Sequence, residues 1–312
     1  MLTLAEHEPY TLLSGTAPTV VLGGGLGYTV SMRNLISVPE LQQALQQPHK
    51  LVIFDTRFNL NEPAAGEKLY RAGHIPGAHF LDLDRDLSST PQTHGGRHPL
   101  PDMAAFADTL AAHGVSNDSR VVVYDADSGV FAGRLWWMLK YLGHDDVQLL
   151  DGGYAAWCAA GLEISQELPT AKAAAFTVRL RSEMLVDMAT VRARLEDDPE
   201  QTLLIDARAP ERYRGDHEPL DPQAGHIPSA RNKFFGDNLE QGHFKPEELL
   251  EQQFSEAHEH QEVIVYCGSG VSAAHNVLVL DALGVPNVRL YVGSWSDWSS
   301  HPDNPIATGD DS

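Results

Sequence analysis

The feature that most constrains this chain is that it says the same thing twice. Leu203-Leu-Ile-Asp206-Ala-Arg208 echoes Val52-Ile-Phe-Asp55-Thr-Arg57. Ala224-Gly-His226-Ile-Pro-Ser-Ala230 echoes Ala72-Gly-His74-Ile-Pro-Gly-Ala78, and Val263-Ile-Val-Tyr266 echoes Val121-Val-Val-Tyr124. Matched residues lie between 141 (Trp157 to Trp298) and 152 (His74 to His226) positions apart. A period this long is not a solenoid repeat; it means a duplicated domain. Within each copy, short apolar β-branched runs alternate with helical patterns. That order predicts an α/β fold with two tandem domains, each a parallel sheet with helices on both faces.

The expected elements follow from local signals. Ser37 is placed to cap a helix over Pro39–Leu45, and Asp102 one reaching about His113. Strands are expected at Leu51–Phe54, Arg120–Tyr124, Val147–Leu150 and Val263–Tyr266. Helices are expected at Ala132–Leu142, Gly153–Ala160 and Ser272–Leu283. We divide the chain into an N-terminal extension (1–31), a first domain (32–161), a linker (162–180) and a second domain (181–312). Pro169 and an alanine-rich run mark the linker. Gly23 to Gly27 is glycine-rich, but no Lys-Ser/Thr pair follows, so the phosphate-loop pattern fails.

The two copies differ where chemistry is expected. Cys267 ends its strand and is followed by Gly268-Ser269-Gly270-Val271-Ser272 and a helix. Open α/β sheets place ligands at such strand ends. The glycines let a tight loop turn its N–H groups toward one point, and the helix start adds partial positive charge. A free thiol ionises near a pH of roughly 8.5, and each unit of lowering needs about 1.4 kcal/mol of preference for the anion. Cys267 is therefore the candidate nucleophile. The first copy has Asp125 at the matching strand end, which cannot act as a thiol. One half carries the chemistry and the other helps to build the cleft. Cys158, the second cysteine, reads as a packed helix residue.

Charge and cysteine content narrow the partners. The net charge is -21, which argues against nucleic acid and against an anionic membrane surface. No apolar run approaches the ~20 residues that span a bilayer. Two cysteines make no disulfide framework, and a lone reactive thiol suits a reducing cytoplasm. Among the 15 histidines no HxxxH or CxxC spacing comes with further ligands, so neither metal nor organic cofactor is expected. An acidic chain that handles an anionic substrate needs local arginines.

These residues resemble the rhodanese-like sulfurtransferases. YRAGHIPGAHFL (Tyr70 to Leu81) fits the family's N-terminal signature, and YVGSWSDW (Tyr291 to Trp298) is similar to the C-terminal one. The latter departs from it at Val292 and Asp297. The likeness runs from about Leu35 to the C-terminus and implies an inactive first domain packed on an active second one. The loop CGSGVS looks like the 3-mercaptopyruvate branch, whereas thiosulfate enzymes usually carry basic residues after the cysteine.

The resemblance implies roles for particular residues. Cys267 would take up sulfur as a persulfide, cradled by N–H groups from Gly268, Gly270, Val271 and Ser272. Ser269 would handle protons with a first-domain histidine, which His74 matches in the HIPGA motif. Glu62 and Glu67 are candidates for the carboxylate behind that histidine. Arg212 would hold the donor's carboxylate or sulfonate. The branch's second substrate arginine would fall near Asp221, so Arg97 or Arg214 would have to supply that charge. The expected substrates are a small anionic sulfur donor and, as acceptor, a thiol such as thioredoxin or a small thiol, or cyanide. Thiosulfate remains an alternative donor, and a non-catalytic sulfur-binding module an alternative function. A cysteine phosphatase would need Arg in place of Ala273.

Overall fold

The structure, a computed structural model, describes residues 32–47, 50–197 and 199–310. The expected N-terminal extension lies outside the described residues. The first half runs β1 (Leu35–Ile36), α1 (Val38–Leu45), β2 (Leu51–Asp55), α2 (Ala65–Ala72), β3 (Ala78–Phe80), α3 (Met103–Ala112), β4 (Arg120–Tyr124), α4 (Val130–Tyr141), β5 (Val147–Leu150) and α5 (Gly153–Ala159). The second runs β6 (Leu185–Val186), α6 (Met188–Asp197), β7 (Thr202–Asp206), α7 (Pro210–Arg214) and β8 (Arg231–Asn232). It continues through a small hairpin, β9 (Leu239–Glu240) and β10 (His243–Phe244), to α8 (Glu247–Phe254) and β11 (Glu262–Tyr266). It closes with α9 (Ala273–Ala282), β12 (Val288–Tyr291) and α10 (Ser294–Trp298).

Each half folds a five-stranded sheet, in the order β1-β5-β4-β2-β3 and β6-β12-β11-β7-β8. Every neighbouring pair within both sheets is parallel. Register matches too: Asp55 pairs with Tyr124 in the first sheet, and Asp206 with Tyr266 in the second. Strands buried on both faces need continuous apolar runs, which VVVY and VIVY supply. The Ser37 cap closes reciprocally, its N–H donating to Glu40 Oε2 at 2.8 Å while its hydroxyl accepts from Glu40 N.

The repeated motifs are scaffold. Arg57 forks onto Asp55 and donates to the Gly73 carbonyl at 2.7 Å; Arg208 does the same with Asp206 and Gly225. His74 and His226 are both fully buried, each stacked on a tyrosine, Tyr70 and Tyr213, with ring centroids 4.1 and 3.8 Å apart.

One apolar core crosses the boundary between halves, joining Val121, Val123 and Leu135 to Ile205, Val265 and Val277. At its centre α4 packs on α9. A Cβ added to Gly133 would lie 3.4 Å from the His275 backbone nitrogen, so the two helices approach closely. This explains why α4, VFAGRLWWMLKY, is apolar nearly all round. Cys158 is exposed, contrary to the packed position expected of it: α5 has only seven residues and buries Trp157 instead.

Candidate active site

Cys267 sits at the carboxyl end of β11, 1% exposed, with α9 opening six residues on. Its loop is braced by the segment after β12. Cys267 N donates to Ser294 Oγ at 3.1 Å, and the N–H groups of Trp295 and Ser296 donate to the carbonyls of Cys267 and Gly268. Gly270 has φ +75°, and a Cβ there would lie 2.4 Å from the Val292 carbonyl oxygen. Only glycine fits that turn, which directs the Gly270 N–H at Cys267 Sγ, 3.2 Å away. An N–H aimed at sulfur favours its anionic form.

The first half reaches this site through the loop between β3 and α3. Gly95 N donates to Asp297 Oδ1 at 2.7 Å, and Arg97 N to Ser296 Oγ at 3.1 Å. Gly96, at φ +88°, lies so close to the Gly293 carbonyl that a Cβ would come within 2.5 Å of it. Thus clipped, the loop delivers His98. Its Nδ1 lies 2.7 Å from Ser269 Oγ, and its Nε2 lies 3.4 Å from Asp84 Oδ1. A proton on Nε2, facing Asp84, leaves Nδ1 to accept from the Ser269 hydroxyl. Burial pushes His98 down to about 4, with Arg134 and Arg97 adding to the effect, so the ring is neutral at neutral pH. Burial and Asp82 raise Asp84 above the usual carboxylate range.

The structure does not bring His74 to Cys267. Its Nδ1 is bonded to the Tyr70 carbonyl at 2.8 Å and its Nε2 to the Glu167 carbonyl at 3.1 Å. Its backbone bridges Ser165, as His226 bridges Ala307. Both ring nitrogens are committed to holding the chain. Glu62 and Glu67 also stay away: Glu62 pairs with Lys68, and Glu67 with Arg71 and Arg85. His98 and Asp84 are the residues that the sequence reading missed. One signal could have found His98: His74 recurs as His226 in the other half, marking shared scaffold, whereas the GGRHP loop has no counterpart.

The arginines divide as follows. Arg97 and Arg212 both overhang Gly268: a Cβ there would lie 3.0 Å from Arg97 Nη2 and 3.3 Å from either terminal nitrogen of Arg212. Arg212, on α7, donates to Glu218 at 2.8 Å and contacts Asp221 at 3.3 Å. Arg97 also pairs with Asp221. Burial raises Asp221, and Arg97 counters that shift. Burial opposes ionisation of Glu218, but Arg212 and the Leu220 N–H hold it below the usual range. Arg214 points elsewhere, to Asp216 and Asp310. The side chains enclose a cavity of about 630 Å³ lined by Arg97, His98, Arg212, Cys267 and Gly268 through Ser272 except Gly270, with apolar walls at Leu60, Phe131 and Leu220.

The first half's matching strand end holds Asp125, wholly buried. It accepts N–H bonds from Gly129 at 2.9 Å and Phe131 at 2.9 Å. Burial nonetheless pushes it up to about 6. Its cradle is closed by its own carboxylate.

Two tandem α/β domains, with a thiol that meets the Gly270 N–H at their junction, define a duplicated rhodanese architecture. The Rhodanese-like domain family matches residues 37–160 and 187–301, and the chain belongs to that family. It is 47% identical over 288 residues to the "Probable 3-mercaptopyruvate sulfurtransferase" of Pseudomonas aeruginosa, covering 90% of this chain and 100% of that one. It is 32% identical over 297 residues to the thiosulfate sulfurtransferase of Cricetulus griseus, covering 90% and 98%. SseA from Escherichia coli, a structure of the 3-mercaptopyruvate sulfotransferase group, superposes with a TM-score of 0.74 at 31% identity, covering 84% and 99%. The protein is a sulfurtransferase. Among the described residues, no helix is long and apolar enough to cross a membrane, and no cluster of three His, Cys, Asp or Glu side chains could hold a metal.

Proposed function

We propose that this sulfurtransferase takes sulfur from 3-mercaptopyruvate onto Cys267 and passes it to a thiol or to cyanide. The observation that carries the reading is the 2.7 Å contact between His98 and Ser269, built across the two halves beside the thiol. In the first step the Cys267 thiolate attacks the donor's sulfur. The carbon–sulfur bond breaks, and its electron pair leaves on carbon as the enolate of pyruvate. That enolate needs a proton, which the Ser269 hydroxyl can give, while neutral His98, its Nε2–H turned to Asp84, takes up the donor's S–H proton at Nδ1 and returns it to Ser269, leaving the persulfide as its anion. Arg97 and Arg212, both beside Gly268, would take the donor's carboxylate. The N–H groups of the Cys267 loop hold the persulfide. In the second step the acceptor, such as thioredoxin, a small thiol or cyanide, attacks the outer sulfur, and Cys267 leaves as thiolate. This is a ping-pong cycle with no cofactor. A lone reactive thiol suits a reducing compartment such as the cytoplasm.

Asp221 favours a second reading, thiosulfate as donor, because it occupies both arginines where the resemblance calls for another cation. Sulfite leaves without needing a proton on carbon, so that reaction does not call on Ser269. Steady-state comparison of the two donors tests the choice. A higher kcat/KM with 3-mercaptopyruvate is expected; a clearly higher value with thiosulfate would overturn the first reading.

A further inference from the structure

Arg134, on α4 of the first half, is fully buried, and none of its contacts is to a carboxylate among the described residues. Its Nη1 donates to the Gly270 carbonyl of the Cys267 loop at 3.1 Å. Its Nη2 donates to the carbonyls of His98 at 3.1 Å and Leu87 at 3.3 Å. Its Nε has no partner. A guanidinium does not give up its proton at neutral pH, and a buried charge is costly unless an opposite charge balances it. Three carbonyl dipoles do part of this. Burial still pushes Arg134 down to about 10, and Cys267 is the neighbour that opposes the shift.

The duplication supplies an internal control. His275 on α9 holds the place in the second half that Arg134 holds in the first, 141 positions on, the spacing of Ser128 and Ser269. Its ring lies against the inert loop, 3.6 Å from a Cβ built on Gly129. Burial pushes His275 down to about 4, so it is neutral. Among the described residues the inert cradle's carboxylate faces no buried cation, and Asp125 is pushed up there despite its N–H bonds. The active cradle holds a thiol in a loop that a permanent cation ties down at the Gly270 carbonyl.

We propose that Arg134, supplied by the half without a nucleophile, is the buried counter-ion of the Cys267 thiolate and of the persulfide that follows. It is a positioning residue: one guanidinium ties the Cys267 loop to the backbone of His98 and carries the charge that balances sulfur. The other charged groups around the thiol are engaged. Arg97 pairs with Asp221, and Arg212 with Glu218 and Asp221, while His98 is neutral. The inference rests on Cys267 being the nucleophile, and the test separates the two.

The experiment measures iodoacetamide alkylation of the Cys267 peptide by mass spectrometry, from about pH 5 to about pH 10. It compares the unaltered protein, Arg134→Gln and Arg134→Lys, with exposed Cys158 as the reference thiol. Arg134→Gln should slow alkylation of Cys267 at neutral pH by about tenfold or more and move the rate-against-pH midpoint upward. Arg134→Lys should recover most of the rate. A folded Arg134→Gln variant with the unaltered curve overturns the counter-ion. An unaltered protein whose Cys267 reacts no faster than Cys158 at neutral pH overturns the nucleophile reading as well. If Arg134→Gln does not fold, denaturation of the unaltered protein and of Cys267→Ser is compared across the same pH range. A counter-ion predicts that the thiol protein gains on the serine variant as pH rises toward about 8.5. Parallel curves refute it.

Discussion

Ser269 and His98 should act as one device, and only for a donor whose leaving group needs a proton. Ser269→Ala removes a 2.7 Å contact in a buried place and leaves His98 Nδ1 without a partner. Stranding a buried acceptor costs about 1–3 kcal/mol. Losing a positioned proton donor costs about a hundredfold or more in the step it serves. Persulfide formation from 3-mercaptopyruvate should therefore fall by about a hundredfold in Ser269→Ala and by a similar factor in His98→Ala. The double variant should be no more than a few-fold worse than either, because one hydrogen bond carries one proton. With thiosulfate as donor, Ser269→Ala should lose less than about fivefold, since sulfite departs unassisted. The assay is single-turnover transfer of sulfur to the enzyme, followed by mass. Losses that multiply to about ten-thousandfold in the double variant would refute the coupling. Equal losses with both donors would refute the assignment of the proton to the leaving enolate.

Three further outcomes follow from the same geometry. His98 is held down to about 4 against an ordinary 6.5, so an unfolding chain takes up this proton first as pH falls. Its contribution to stability is complete above about 6.5 and is lost as pH falls toward 4, by about 3 kcal/mol at most; His98→Gln should flatten that part of an acid-denaturation curve, and an unchanged curve would count against it. His74→Ala should lower unfolding free energy by about 2–4 kcal/mol, two buried hydrogen bonds, while leaving kcat within about threefold; a collapse of kcat in a stable variant would restore His74 to the chemistry. Asp221→Asn should release Arg97, leave Arg212 on Glu218 alone, and lower KM for 3-mercaptopyruvate about three- to tenfold, as read from steady-state kinetics; a raised KM would mean that Asp221 positions the arginines for the donor.

Much of the fold was legible because both halves obey local rules. Arg120–Tyr124 and Val147–Leu150 are strands at the expected limits, and Asp102 caps α3 through the Ala105 N–H. The helix over Ala132–Leu142 starts earlier, at Val130, because Asp125 accepts the Phe131 N–H and so draws the first turn inward. The thiol end of the site was equally legible, since a strand, a cysteine and a Gly-Ser-Gly loop are contiguous in the chain. The proton-handling end was not. Asp84, His98 and Ser269 come together only because a loop of one half crosses to the other, fixed by Gly95, Gly96 and Arg97. No local propensity encodes that crossing, and the HIPGA histidine was the more conspicuous choice. Arg97 was legible as a candidate, but its partnership with Asp221 depends on the same crossing.

The central claim is that sulfur passes through Cys267. Brief treatment with 3-mercaptopyruvate, then peptide mass spectrometry without reductant, tests it most directly. The peptide bearing Cys267 should gain the mass of one sulfur atom, and cyanide should remove it with release of thiocyanate. Turnover with no added sulfur on that peptide, or sulfur found on Cys158 instead, would contradict it.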